Sequence, residues 1–227
     1  MHYSGWELKF FDASKNFRNY QFKIIKNYLG KKVLEIGPGS GFFAKNFLLN
    51  VSDRLVLSEI NSDLREKLKE NFKDEAKVTI LPDKIEDIDE EFDAICYFDV
   101  LEHIENDEIE LINAMSKLKK NGHLIISVPA FNHVFSDYDK SVGHYRRYEK
   151  RFFYDFAKKN SLNLQKLKYF DSIGYMMLVL NKIINLKGEN KVGLGTVIWN
   201  KLIPISNLID LITLNLFGKS LICIIKK

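Results

Sequence analysis

With 227 residues, 46% hydrophobic and 28% charged, the chain can bury one sizeable core, and a single domain with insertions is expected. Lysine and arginine number 34 against 30 acids, and the resulting +4 is too mild to point to nucleic acid. The first residues carry no apolar h-region, so no signal peptide is expected, and Cys96 and Cys223 lie in apolar runs without metal-ligand spacing, as in a reduced, cytoplasmic protein.

Residues 6–28 set Trp6, Leu8, Phe10, Phe11, Phe17, Tyr20, Phe22, Ile24, Ile25 and Tyr28 on broad helical spacing before Gly30 stops the run. This predicts an aromatic helical cap over 1–30, whose polar groups Asn16, Arg18 and Tyr20 can reach inward. Residues 33–43 then read Val-Leu-Glu-Ile-Gly-Pro-Gly-Ser-Gly-Phe-Phe. The apolar run suits a strand buried on both faces, and the glycines fall where it should turn into a helix over 42–49. Glycine allows positive φ and a close approach of backbone N–H groups to a ligand. A dinucleotide fingerprint would put its third glycine where Phe42 stands, so Gly37, Gly39 and Gly41 with Glu35 ahead of them form a different motif.

That motif resembles the first motif of class I S-adenosylmethionine-dependent methyltransferases, and Glu59, closing the strand predicted over 54–60, matches the second acidic position of the same family. The resemblance implies S-adenosyl-L-methionine as cofactor, with the turn from Gly37 to Gly41 on its methionine part. Glu59, followed by Ile60, would take both ribose hydroxyls, Glu35 would help orient the ammonium, and Tyr20 would reach over from the cap. An ionised carboxylate accepts two hydrogen bonds, which suits a vicinal diol.

A helix over 63–72 shows a solvated charged face, and a strand over 78–81 ends in Pro82-Asp83-Lys84-Ile85. By resemblance Asp83 faces the adenine amino group, with Lys84 and Ile85 beside it; turn chemistry alone also accounts for a Pro-Asp pair. The strand over 92–98 runs into Asp99-Val-Leu-Glu-His-Ile, similar to the family's exit from strand four, which puts Phe98, Asp99 and His103 near the methionine end. A helix over 107–119 should turn Ile109, Leu111, Ile112, Met115 and Leu118 inward and end at Asn121-Gly122, before a strand over 123–128 that stops at Pro129. The long loop over 130–148 contains Asp139-Lys-Ser-Val-Gly-His-Tyr-Arg-Arg-Tyr148, which resembles a signature of a bacterial branch of these methyltransferases associated with surface polysaccharide, lipid or secondary pathways. His144 is the expected base, with Asp139 holding its tautomer, and His133, Arg146, Arg147 and Tyr148 are expected to meet the acceptor. Either arginine could instead tie the loop to acids. His133 and His144 with two aspartates could also form a divalent metal site, but the spacing matches no metal motif, and no metal is expected.

A helix over 152–160, a strand over 164–170 and a last strand over 220–226 complete the sheet. Strands alternating with helices imply parallel βαβ units with ligands at the carboxyl ends of the strands. The expected fold is α/β: a Rossmann-like seven-stranded mixed sheet with helices on both faces, an N-terminal helical cap (1–30), a core (31–171), a helical insertion (172–218) and a last strand (219–227) that the resemblance places antiparallel between strands five and six. Within the insertion, Ile198, Leu202, Ile205, Ile209, Ile212 and Leu216 form a stripe that should be buried. The apolar stretches 173–186 and 197–217 are interrupted by polar residues and are not clean membrane spans, which leaves a lid, a homodimer contact or shallow membrane attachment helped by Lys201 and Lys219. The function implied is methyl transfer to an O, N or C nucleophile of a small-molecule, glycan or lipid-linked acceptor, anionic if the arginines meet it. The rivals are a nicotinamide-dependent oxidoreductase, disfavoured by Phe42, and a non-catalytic cofactor-binding interaction protein.

Overall fold

Seven strands form one sheet in the order β3-β2-β1-β4-β5-β7-β6, in a computed structural model that describes residues 12–184 and 190–227. The expected Trp6, Leu8, Phe10 and Phe11 and the end of the apolar stretch 173–186 lie outside the described residues. β1 (Lys32–Ile36), β2 (Arg54–Ser58), β3 (Val78–Leu81), β4 (Phe92–Phe98) and β5 (Leu118–Pro129) pair in parallel, while β7 (Ser220–Lys226) runs antiparallel between β5 and β6 (Asn163–Phe170). The β1 and β4 segments are near-continuous apolar runs because helices cover both sides of the sheet centre. One core packs Leu34, Tyr97 and Leu124 with Phe153 and Phe156 of the helix Lys150–Lys159; the other packs Val33, Leu57 and Cys96 with Phe17, Ile25 and Trp199.

Three predicted boundaries shift. The helix after β4 covers Asp107–Ser116, and Asn121-Gly122 falls inside β5. The strand absorbs the pair as an irregularity opposite Phe92 and Ala94, with Asn121 at φ +68°. Leu111, Ala114 and Met115 face the core, whereas Ile109 and Ile112 point to solvent. The first helix of the sheet unit is a π-helix over Ala44–Leu48, closed by Leu49 N–H to Ala44 O at 2.9 Å. The loop over 130–148 contains two short helices, Asn132–Val134 and Asp137–Ser141.

The insertion departs most from expectation. The helix Asn190–Ile212 buries Trp199, Ile203, Ser206 and Asp210, and the stripe expected inside lies with Ile198, Ile205, Ile212 and Leu216 exposed. The reason is the start of the preceding helix, Ser172–Ile184, whose first amides need acceptors. Asp210 accepts from Asp171 N–H at 2.7 Å and Ser172 N–H at 2.8 Å, Ser206 Oγ accepts from Ile173 N–H at 3.0 Å, and Asp171 accepts from Gly174 N–H at 2.9 Å. These bonds, made away from water, hold the polar face inward. The chain leaves and rejoins the sheet at one point, where Lys219 N–H donates to Asp171 O at 2.9 Å.

Candidate functional site

The carboxyl ends of the parallel strands put the glycine turn, Glu59, Asp83, Asp99 and the 130–148 loop along one edge of the sheet. Gly37, Gly39 and Gly41 all have positive φ, between +58° and +78°. A Cβ on Gly37 would stand 2.8 Å from Val100 Cγ2, and one on Gly41 2.6 Å from Leu68 Cδ2, so a side chain at either place would be strained by the positive φ and would push a neighbour aside. Glu59 is buried and holds the turn: Oε2 accepts from Gly39 N–H at 3.2 Å and Oε1 from Asn61 N–H at 2.9 Å. Burial raises its pKa while those two amides oppose the rise. Each oxygen keeps acceptor capacity for a hydroxyl.

Glu35 is buried on β1, and its Oε2 has no hydrogen-bond partner. Burial pushes its carboxyl up to about 8, with Arg18 opposing and Glu59 adding to the shift. A buried carboxyl that an incoming cation would ionise suits a ligand bearing an ammonium. The cap helix Lys15–Ile25 closes over this edge, with Arg18 Nη1 donating to Asp99 Oδ2 at 2.9 Å. Beside it, Ser40 Oγ of the glycine turn donates to Asp12 Oδ1 at 2.9 Å. Asp99 takes φ +58°, its N–H bonded to Ser127 O at 2.8 Å, and Phe98 packs on Phe43 with ring centroids 4.3 Å apart.

Several residues expected at the cofactor are engaged elsewhere. Tyr20 is buried and donates its hydroxyl to Asp210 at 2.8 Å, so it braces the insertion. Ile85 is fully buried in the core and lies beneath the edge, while Ile60 is 68% exposed. Lys84 is exposed, its Nζ 3.9 Å from Glu86. Asp83 is half-buried beyond β3, and its carbonyl accepts from Ser58 Oγ.

The loop over 130–148 is organised by buried ion pairs. Asp139 is fully buried; its Oδ1 meets His144 Nδ1 at 2.9 Å and accepts from Arg147 Nε at 2.8 Å, and its Oδ2 accepts from Arg147 Nη2 at 3.1 Å and Ser136 N–H at 2.9 Å. Burial works against the charge of Asp139, but the bonds from His144 and the Arg147 guanidinium prevail, and its carboxyl is held at about 2. Arg147 is therefore a buried brace and not an open anchor for acceptor, a correction that follows from its bidentate pairing. Arg146 is turned to Asp107 Oδ2 at 2.7 Å and Glu105 O at 2.9 Å, and Tyr148 is buried with its hydroxyl on the same Asp107 oxygen at 2.8 Å. Both fasten the loop to the start of the helix Asp107–Ser116. His133 is exposed, with Nε2 3.0 Å from Tyr175 Oη.

Glu102 lies in the Asp99-Val-Leu-Glu-His-Ile segment, expected only to be close by the methionine end and given no role. It is fully buried, neither carboxylate oxygen has a hydrogen-bond partner, and burial, with Asp99 adding, raises its pKa well above the usual range. His144 Nε2 stands 3.9 Å from its Oε1, and the His103 ring lies edge-on to His144 with centroids 4.7 Å apart. Burial, with His144 adding, lowers the pKa of His103 to about 4. One ligand atom from each of Glu102, His103 and His144 lies within 4.8 Å of the other two, a set able to hold a divalent cation. Lys219 also turns inward, with Nζ 3.5 Å from the centre of the Trp199 ring, which removes it from any outer surface. Burial lowers its pKa to about 8, with Asp171 opposing. Asp107 carries no local motif; it is recruited by Arg146 and Tyr148 from across the fold.

A family model described as "Methyltransferase domain" matches residues 11–172. The ubiquinone biosynthesis O-methyltransferase of Rickettsia bellii (strain OSU 85-389) is 26% identical over 115 residues, which are 48% of this chain and 48% of that protein. Its counterpart in Rickettsia conorii (strain ATCC VR-613 / Malish 7) is 24% identical over 110 residues, 47% of this chain and 38% of that one. The chain thus spans about half the length or less of these curated relatives. Among solved structures, the N-methyltransferase NodS from Bradyrhizobium japonicum WM9, in complex with S-adenosyl-L-homocysteine, superposes with a TM-score of 0.61 at 12% identity, covering 94% of this chain and 86% of that one. Phosphoethanolamine N-methyltransferase 2 of Haemonchus contortus, in complex with S-adenosyl-L-methionine, gives 0.62 at 18% identity over 92% of this chain and 52% of that one. At such identities the likeness shows the fold alone.

Proposed function

Because the chain belongs to the methyltransferase domain family, we propose that it transfers a methyl group from S-adenosyl-L-methionine to an oxygen, nitrogen or carbon nucleophile of a small-molecule acceptor, free or linked to lipid or glycan. The observation that carries the reading is the pairing of a side-chain-free glycine turn with Glu59 on one side and the orphaned Glu35 on the other. The turn would hold the methionine part, Glu59 the ribose hydroxyls, and Glu35 the charge of the ammonium. Bound there, the cofactor supplies an electrophilic methyl on a sulfonium. The unit that does this work is the core over 31–171, capped by the residues before it and flanked by the insertion over 172–218. Buried, unpaired Cys96 and Cys223 fit a cytoplasmic setting.

The protein's own part is to hold the acceptor in line and to take its proton. Orientation of this kind lowers the barrier by on the order of 7 kcal/mol or more. Asp139, kept ionised, accepts the Nδ1 proton of His144 and leaves Nε2 with a lone pair for the proton of an acceptor hydroxyl or ammonium. The charge that then appears on the imidazole would favour ionisation of Glu102, whose Oε1 lies 3.9 Å from Nε2 and whose carboxyl is otherwise kept protonated by burial. Calorimetry with S-adenosyl-L-homocysteine tests the reading: binding that Glu59→Ala weakens supports it, and binding of NADH with none of the homocysteine cofactor would sink it.

A second reading has one observation in its favour, the two unpartnered oxygens of Glu102 beside two histidines. We propose as the alternative that Glu102, His103 and His144 hold a divalent cation, with Asp139 orienting His144 from behind. The cation would favour the ionised acceptor in place of a protein base. Titration with Mg2+ and Mn2+, and turnover before and after a chelator, separate the two: indifference to both rules the cation out.

A further inference from the structure

Polarity runs backwards across the helices Ser172–Ile184 and Asn190–Ile212, which pack on each other. The side turned to the sheet carries Ser206, Asp210 and the indole N–H of Trp199, whereas Ile205, Leu208, Leu211 and Ile212 on the outer side are 52%, 58%, 70% and 72% exposed. Leu180 and Ile183 of the first helix are exposed as well. A helix at a water interface shows the reverse arrangement. An aliphatic outer face of this extent marks contact with something other than water.

Charge narrows the choice of occupant. Among the described side chains of 172–217 the one carboxylate, Asp210, is fully buried, while Lys182 and Lys201 are exposed. A second copy meeting this face about a two-fold axis would bring lysine rims of the same sign together, with no exposed carboxylate among the described residues of the segment to answer them. A bilayer with anionic head groups answers both the cations and the aliphatic surface. Among the described residues no helix is long and apolar enough to cross a membrane, so contact would be in the plane of the interface. We infer that the outer face of the helix pair is a peripheral membrane-binding surface selective for anionic lipid. The surface adjoins the loop over 130–148, because Lys182 Nζ donates to His133 O and Tyr175 meets His133. The inference rests on burial and charge alone and stands whether or not the chain transfers methyl groups.

Flotation of the full chain with vesicles tests it. The protein should rise with phosphatidylcholine vesicles containing phosphatidylglycerol, rise far less with phosphatidylcholine alone, and come off as salt is added. The triple variant Ile205→Ser, Leu208→Ser, Leu211→Ser should lower partitioning by roughly tenfold or more, and Lys201→Glu should weaken binding to anionic vesicles only. All four side chains are exposed, so circular dichroism melting should show each variant folded. Equal binding to neutral and anionic vesicles, no binding to either, or a solution dimer that the triple variant splits would each overturn the inference.

Discussion

The edge with the glycine turn, proposed to hold the cofactor, and the 130–148 loop, proposed to meet the acceptor, are built by different means. At the cofactor edge the groups that matter lie within 25 residues of one another, Glu35 to Glu59, and are placed by backbone geometry: three positive-φ glycines and two strand ends. The 130–148 loop is placed by charged side chains: Arg147 on Asp139, 8 residues away, and Arg146 on Asp107, 39 residues away. Backbone-built sites tolerate change in the surrounding side chains, whereas a site built from buried ion pairs fails when one partner is removed. The two regions should therefore respond differently to single substitutions.

The largest effect is expected at Arg147. Arg147→Ala leaves the fully buried Asp139 without its bidentate partner and should cost about 3–5 kcal/mol of stability, read by chemical denaturation. In the unaltered chain, the stability drawn from ionised Asp139 is complete above the usual carboxylate pKa near 4 and is lost as pH falls through about 2. The variant should lose stability at a higher pH than the parent. A variant as stable as the parent would show that the acceptor side is not held by this pair.

Next in size is His144→Ala, for which methyl transfer should fall by roughly a hundredfold while affinity for S-adenosyl-L-homocysteine stays close to that of the parent. Loss of both together would join the two regions into one. Glu59→Ala, on the other side of the comparison, should weaken cofactor binding by ~1.5–3 kcal/mol, the scale of hydrogen bonds to a charged group. Its thermal stability should move less than that of Arg147→Ala.

A gentler probe uses protons. Glu35 has a pKa of about 8 without ligand, and an ammonium nearby would lower it, so cofactor binding near pH 7 should release a proton and tighten as pH rises towards 8. Calorimetry in buffers of different ionisation enthalpy reads the proton directly, and Glu35→Gln should abolish the release. The smallest change is expected for Tyr20→Phe, about 1 kcal/mol of stability and no change in cofactor affinity, because the hydroxyl serves Asp210. A marked loss of cofactor affinity in this variant would return Tyr20 to the site.

The same contrast explains what could be read in advance. The strands and the glycine turn were legible because apolar runs and alternate glycines are local signals, and Glu59 sits one residue past its strand, whereas the place of the last strand between β5 and β6 came from the family resemblance. The pairing of His144 with Asp139, five residues apart, could be anticipated, whereas the fastening of Arg146 and Tyr148 to Asp107 could not, since nothing near Asp107 marks it. Periodicity failed most clearly in the helix Asn190–Ile212. An apolar stripe was expected to be buried, but the unsatisfied amides at the start of the helix Ser172–Ile184 recruited Asp210 and Ser206 inward. A helix can satisfy a neighbour's backbone at the expense of its own amphipathic order, and no single-helix pattern records that demand.

The point where the chain leaves β6 and returns to β7 has an evolutionary consequence. Asp171 and Lys219 are joined by one backbone hydrogen bond, so everything between them is a cassette with a fixed footprint. Lengthening such an excursion is cheap, since doubling a closed loop costs only about 0.6 kcal/mol in chain entropy. Because the register of β6 on β7 is set by the strands themselves, insertions and deletions here need not propagate into the sheet. The outer face of this cassette can therefore change in length and charge while the sheet stays as it is, whereas Trp199, Ser206 and Asp210 are held by the core and the cap, so sequence drift should concentrate on the exposed positions between these two residues.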